Sequence, residues 1–121
     1  MRVLACDDEE VVLKLIEVTL RDRAEVITAR DGYRALEVLR TEPAFDLIIT
    51  DIHMPYYKGE DILKLVREEQ KRSTPIIMLS SDGEEEVIAL ALKQGVNDFI
   101  VKPVDSKKLL SKVEPFLKGQ S

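Results

Sequence analysis

The feature that most restricts the fold of this chain is a regular alternation of short apolar runs with stretches whose apolar residues recur at helical spacing. The runs are Val3-Leu4-Ala5-Cys6, Val26-Ile27-Thr28-Ala29, Phe45 to Thr50, Ile76 to Leu79 and Phe99-Ile100-Val101, and all five read as strands. Between them, Val12, Leu15, Ile16 and Leu20, then Ala35, Leu36 and Leu39, then Ile62, Leu65 and Val66 mark three helices. A fourth helix carries Ile88, Ala91 and Leu92 and stops at Gly95, where a left-handed cap has little steric penalty. A fifth carries Leu109, Leu110, Val113 and Leu117. Pro115 lacks the N–H that would bond four residues back, so this last helix is expected to bend or end there.

Strands that alternate with helices run parallel, and right-handed crossovers place the helices on both faces of the sheet. The expected fold is a doubly wound α/β sandwich, a flavodoxin-like (βα)5 unit of three layers. The first, third and fourth runs are continuously apolar, as strands covered on both faces should be, whereas Glu25 and Thr28 make the second more mixed. That assigns the second strand to an edge and fits the order 2-1-3-4-5. A chain of 121 residues can bury such a core as one domain without disulfides. One domain over residues 1–121 is therefore expected, with 119–121 as a tail or the start of a linker.

Net charge is −5, which leaves no basic field to hold nucleic-acid phosphates. The apolar runs are far too short to span a bilayer, and the Met-Arg start leads into a strand, not a signal peptide. Cys6 has no second cysteine to pair with and reads as a small buried hydrophobe in a reducing compartment. Cytoplasmic residence is the expectation.

In sheets of this kind the ligand crevice lies outside the carboxyl ends of the strands. There strand one ends in Asp7-Asp8, strand three in Asp51, strand four in Ser80-Ser81 and strand five in Lys102-Pro103. Taken singly, each is explained as a cap or turn residue, and Asp8 could N-cap the first helix. Taken jointly, caps do not account for buried runs that end in Thr-Asp and Lys-Pro. Two like charges about 4 Å apart repel by roughly 4 kcal/mol near a surface, so the clustered carboxylates require a cation. Lys102 supplies one charge, and hard oxygen ligands open to water suit Mg²⁺, or Mn²⁺ in its place, better than zinc.

Through Asp7-Asp8, Asp51, Met54-Pro55, Gly59, Ser80 and Lys102-Pro103, in that order, the chain resembles the receiver domain of two-component response regulators over essentially its whole length. The resemblance implies that Asp51 attacks a phosphohistidine on a histidine kinase or histidine phosphotransfer protein and becomes an aspartyl phosphate. It implies that Asp8 and Asp51 ligate Mg²⁺ through side-chain oxygens, Asp7 mainly through water and His53 through its backbone carbonyl. The metal and Lys102 would neutralise the transferring phosphoryl oxygens. Ser80 stands where the family places a Ser or Thr that swings to the phosphoryl group, with the loop to Gly83 moving along. Phe99 matches the family's aromatic switch position, and as Phe in place of the common Tyr it offers no phenolic hydrogen bond. Lys102-Pro103 resembles the family's cis peptide. His53 and Asp82 would stand at the mouth of the site and tune the lifetime of the phosphoaspartate. On this reading the domain is a phosphoacceptor that catalyses its own phosphorylation and slow dephosphorylation, not a turnover enzyme.

The same resemblance marks helix four, strand five and helix five, roughly residues 84–118, as an output face for a downstream effector or a second receiver. It places kinase docking on helix one near Glu9 to Leu15 and on the loop after strand five. Glu84-Glu85-Glu86 facing Lys107, Lys108 and Lys112 could steer a symmetric pairing of two chains. Three other readings fit less well. A haloacid-dehalogenase-type phosphatase wants a second Asp where His53 stands. A flavodoxin-like electron carrier wants a Ser/Thr/Gly phosphate loop where Asp7-Asp8 would repel the FMN phosphate. A receiver fold used only for docking would not need the complete acidic set.

Overall fold

The computed structural model describes residues 1–117 and turns the alternation into five strands and five helices. These are β1 (Arg2–Cys6), α1 (Glu10–Leu20), β2 (Glu25–Ala29), α2 (Gly32–Thr41), β3 (Leu47–Asp51), α3 (Gly59–Lys64), β4 (Ile76–Ser80), α4 (Glu85–Lys93), β5 (Asp98–Val101) and α5 (Ser106–Leu117). All strand pairs are parallel, in the order β2-β1-β3-β4-β5. Both the doubly wound fold and the edge position of β2 are as expected. The third strand starts at Leu47, not Phe45, and Phe45 is buried just ahead of it beneath the Arg2 guanidinium, 4.6 Å from the ring centroid.

Successive side chains of a strand point to opposite faces, so the continuously apolar strands supply two cores at once. Val3 and Ala5 of β1, Leu47 and Ile49 of β3, and Ile77 and Leu79 of β4 pack under α1 and α5. Leu4, Cys6, Ile48, Ile76 and Met78 face α2, α3 and α4. Cys6 is fully buried, and burial pushes its thiol well above the usual cysteine range, which makes it inert packing.

Local chemistry explains the helix boundaries. Asp31 accepts a hydrogen bond from the Arg34 backbone N–H at 2.8 Å and opens α2. After Lys64, α3 continues through a wider turn over Leu65–Glu69, in which the Gln70 N–H reaches five residues back to the Leu65 carbonyl at 2.8 Å. Gly95 takes φ +113 beyond α4, and the Val96 and Gly95 amides return to the Ala91 and Leu92 carbonyls, the paired bonds of a Schellman cap.

The residue at the N-cap of α1 is Glu9, and no side chain caps that helix, so capping does not account for Asp8. One expectation needs correction. The last helix does not end at Pro115 but runs past it to Leu117. The proline falls in the final described turn, where one backbone bond is forgone, while Leu109 and Val113, both fully buried, hold the preceding turns to the sheet. The tail expected at 119–121 lies outside the described residues.

Gly32 is where α2 meets the loop after β3. Its amide donates to the Pro55 carbonyl at 3.0 Å, and a Cβ at that position would lie 2.2 Å from the Tyr57 carbonyl oxygen. Gly32→Ala is therefore expected to displace the 55–57 loop and to destabilise the domain by about 1–3 kcal/mol. Urea unfolding measures this, and a variant as stable as the parent would show that the loop yields freely.

Candidate functional site

Backbone register brings the polar residues to one rim. Asp7 follows β1, and its N–H bonds the Ala29 carbonyl at the end of β2. Asp51 closes β3 opposite Leu79, and Ser80 closes β4 opposite Val101. Lys102 follows β5 and donates its backbone N–H to the Ser80 carbonyl at 2.7 Å. Gly59, where α3 starts, lets the backbone pass close beneath, since a Cβ there would sit 2.8 Å from the Asp51 carbonyl oxygen.

The Lys102 ammonium is the centre of the rim. Its Nζ lies 2.7 Å from Glu9 Oε1, 3.0 Å from Asp7 Oδ2 and 3.1 Å from Asp51 Oδ2, and its side chain is 16% exposed. Burial alone would lower its pKa, but the bonds to Glu9, Asp7 and Asp51 outweigh this and hold it above the usual lysine value. It is charged throughout the physiological range.

Asp7 is fully buried. Burial raises its pKa, and the Glu9 N–H and Lys102 only partly oppose that, while the Asp51 charge adds to it. Asp7 Oδ1 accepts the Glu9 N–H at 2.8 Å. Oδ2 is close enough to Lys102 for an ion pair but off the direction of a hydrogen bond, so it has no hydrogen-bond partner. Asp51 is 8% exposed, with Oδ1 accepting the His53 backbone N–H at 3.2 Å and Oδ2 accepting from Lys102.

Asp7, Asp8 and Asp51 each offer a carboxylate oxygen, and these atoms lie within 4.8 Å of one another. Asp8 is exposed, so the set opens to water. Three carboxylates, of Asp7, Glu9 and Asp51, share one ammonium, Asp8 stands beside them, and the buried Asp7 Oδ2 has an ion pair but no hydrogen bond. An all-oxygen, partly open set of this kind fits a hard divalent ion.

The other buried side-chain polar atom without a partner among the described residues is Ser80 Oγ, on the same rim. Both atoms with an unmet hydrogen-bonding need thus belong to residues assigned to the site from sequence.

The family model for the response regulator receiver domain matches residues 3–114. The chain is 42% identical over 118 residues to the two-component response regulator ORR11 of Oryza sativa subsp. indica, covering 93% of this chain and 80% of that one. It is 40% identical over 111 residues to ORR24 of the same subspecies, covering 90% of this chain and 17% of that much longer protein. Among solved structures, the chemotaxis response regulator CheY4 of Vibrio cholerae superposes with a TM-score of 0.85 at 34% identity, over 95% of this chain and 97% of that one. The chain belongs to the response regulator receiver domain family. Its function class is phosphorelay signalling in two-component systems.

In this receiver domain the Lys102–Pro103 peptide is cis. Phe99 is half-buried, under the Lys112 ammonium at 5.6 Å, and walls a cleft of about 230 Å³ between Ser80 to Glu85 and α4. The His53 imidazole is largely exposed and turns to Glu84 on the loop after β4, with Nε2 against Oε2. Asp82 is exposed and lines a separate cleft with Glu9, Val11, Lys102 and Pro103. No described helix is long and apolar enough to cross a membrane.

Sequence reasoning missed Glu9 and Glu84. Glu9 directly extends the Asp7-Asp8 pair, and this adjacency was the available signal. Glu84 belonged to an acidic run that sequence assigned to charge steering. Much of that proposed charge pattern is used internally: Glu84 binds His53, Lys112 pairs with Asp98 at 3.1 Å, and Lys108 Nζ donates to the Pro103 carbonyl at 3.1 Å.

In the metal-free protein Asp7→Asn is expected to raise stability by about 1 kcal/mol at neutral pH, because it removes a poorly partnered buried charge. Folding raises the Asp7 pKa, so the folded state holds the proton more tightly. The wild type's disadvantage is absent below the ordinary carboxylate pKa and grows as pH rises through the raised value. Millimolar Mg²⁺ should reverse the order by binding the wild type. Urea unfolding with chelator, then with Mg²⁺, checks both, and a metal-free wild type as stable as the variant at every pH contradicts the argument.

Proposed function

We propose that this receiver domain accepts a phosphoryl group on the Asp51 carboxylate. A carboxylate oxygen forms the new O–P bond as the P–N bond of a phosphohistidine breaks, and the donor imidazole leaves. The observation that carries this reading is Lys102 Nζ at 3.1 Å from Asp51 Oδ2, on a rim where Asp7 Oδ2 and Ser80 Oγ are buried without hydrogen-bond partners. The donor would be a histidine kinase or a histidine phosphotransfer protein, docking on α1 near the exposed Val11 and on the Pro103–Val104 segment beside the rim.

Lys102 holds and orients Asp51 before transfer and neutralises the phosphoryl oxygens during it. Bound by Asp7, Asp8, Asp51 and the His53 carbonyl, Mg²⁺ or Mn²⁺ would supply further positive charge against the phosphoryl oxygens. Ser80 Oγ, buried and uncommitted, gains its hydrogen bond only when a phosphoryl oxygen comes within reach. The loop that carries Ser80 moves toward the new group, and the Phe99 ring turns inward along the cleft that this loop bounds. An effector or second receiver then reads the altered α4–β5–α5 face, in the cytoplasm. His53 and Asp82 border the approach of water and tune how long the acyl phosphate lasts.

Incubation with phosphoramidate and Mg²⁺, followed by intact-mass measurement, should show one added phosphoryl group on the wild type and none on Asp51→Asn. Chelation of Mg²⁺ should prevent the modification. Modification of Asp51→Asn to the same extent would move the acceptor elsewhere. His53→Ala and Asp82→Ala should still be modified but lose the group at altered rates, and decay identical to the wild type in both would remove these residues from the hydrolytic step.

A further inference from the structure

Among the described residues, Glu84 is the one carboxylate that joins the two loops bordering Asp51. Its Oε1 accepts the Ser81 backbone N–H at 2.5 Å, and its Oε2 meets His53 Nε2. Its side chain is only 15% exposed, against 60% for His53. Although it stands at the N-cap of α4, it makes no cap bond to that helix. Burial would raise its pKa, but the Ser81 N–H and His53 outweigh this and keep it ionised, so both oxygens act as acceptors.

We propose that Glu84 is a positioning residue, a latch that holds the β4–α4 loop to the β3–α3 loop in the unphosphorylated domain and must let go of Ser81 when Ser80 moves toward the phosphoryl group. The inference rests on the phosphoacceptor reading of Asp51 and extends it. Ser81 is the residue next to Ser80, so the hydroxyl cannot travel far while the adjoining amide is fixed to Glu84. Gly83, at φ +87 with open space around its α-carbon, lies between the anchor points and gives the segment a place to bend. The other oxygen of the same carboxylate holds His53, which couples movement of Glu84 to the residue at the mouth of the site. A latch of this kind biases the equilibrium toward the resting arrangement, and any ligand that prefers the other arrangement binds more weakly for it.

The test uses the full chain and beryllofluoride with Mg²⁺ as the acyl-phosphate mimic. In Glu84→Ala, hydrogen exchange at the Ser81 amide without Mg²⁺ should accelerate on the order of tenfold, as expected for loss of one charge-assisted bond. The same variant should bind beryllofluoride several-fold more tightly than the wild type, an effect that mere structural support would not produce. His53→Ala should give part of the gain, and the double variant should fall short of the sum, since the two residues form one contact. Circular dichroism confirms folding of each variant, and Glu84→Gln, which can keep one acceptor, should fall between. Unchanged or weaker beryllofluoride binding by Glu84→Ala overturns the latch while leaving Asp51 as the acceptor. A wild type that binds no beryllofluoride overturns the acceptor reading and the latch together.

Discussion

One ammonium group holds the rim of this protein together. Lys102 arrives from the end of β5 and meets carboxylates that arrive from β1, from the start of α1 and from β3, so a single side chain joins segments from opposite ends of the chain. At such separations, and with little water between, the attraction between opposite charges amounts to several times the thermal energy, about 4 kcal/mol for each pair near a surface. The mutual repulsion of the carboxylates is of the same order. Neither side wins outright, and the rim is folded but electrostatically short of positive charge. On the proposed reading this imbalance makes a divalent ion and an anionic substrate belong to one description: the ion would correct the excess of carboxylate and so let a phosphoryl group approach Asp51.

The sheet makes that crowding possible. Parallel strands all present their carboxyl ends at one edge, and the register Asp51 with Leu79 and Ser80 with Val101 staggers those ends by no more than a residue. The two apolar cores on either side of the strands stabilise the fold independently of the rim, so the polar residues there need not contribute net stability. Buried ion pairs seldom do, because desolvation offsets much of their attraction.

How much of this could be read in the sequence follows from which forces act locally. The central strands were legible because burial on both faces demands unbroken apolar runs, and Leu47 to Thr50 and Ile76 to Leu79 answer that demand directly. The site was legible because Asp7, Asp51, Ser80 and Lys102 each terminate such a run, where topology fixes their positions without side-chain detail. Of the two outcomes expected at Pro115, the helix end does not occur, because a local rule about one missing N–H competes with tertiary packing of Leu109 and Val113, which a one-dimensional reading does not weigh. The capping alternative for Asp8 is excluded in a way the sequence does not show: Asp7 turns back to the Glu9 amide, and Glu9 is drawn to Lys102, a partner 93 residues away. Glu84, Lys108 and Lys112 read in the sequence as charges that could steer a pairing of two chains, because nothing in their neighbours announces His53, the Pro103 carbonyl or Asp98. Long-range polar pairing is what the sequence conceals.

The two buried atoms without hydrogen-bond partners fit a rim built for ligands better than one built for stability. A site selected only to hold the strand ends together would be expected to satisfy Asp7 Oδ2 and Ser80 Oγ internally, since an unmet buried polar group costs about 1–3 kcal/mol. Their unmet needs are also of opposite character. Asp7 Oδ2, ionised, can only accept, and beyond the Lys102 ammonium at 3.0 Å it can take a further cation or a donor, whereas Ser80 Oγ can donate to an anion. On the proposed reading a metal ion and a phosphoryl oxygen would answer one need each. Because Ser80 belongs to a segment that Glu84 fastens through Ser81, on the proposed reading satisfying the hydroxyl would mean moving the loop, and the energy released at the rim would become available to shift the neighbouring α4 and Phe99. Chemistry at one strand end would then be connected to surface shape by a hydrogen bond that the resting protein leaves unmade.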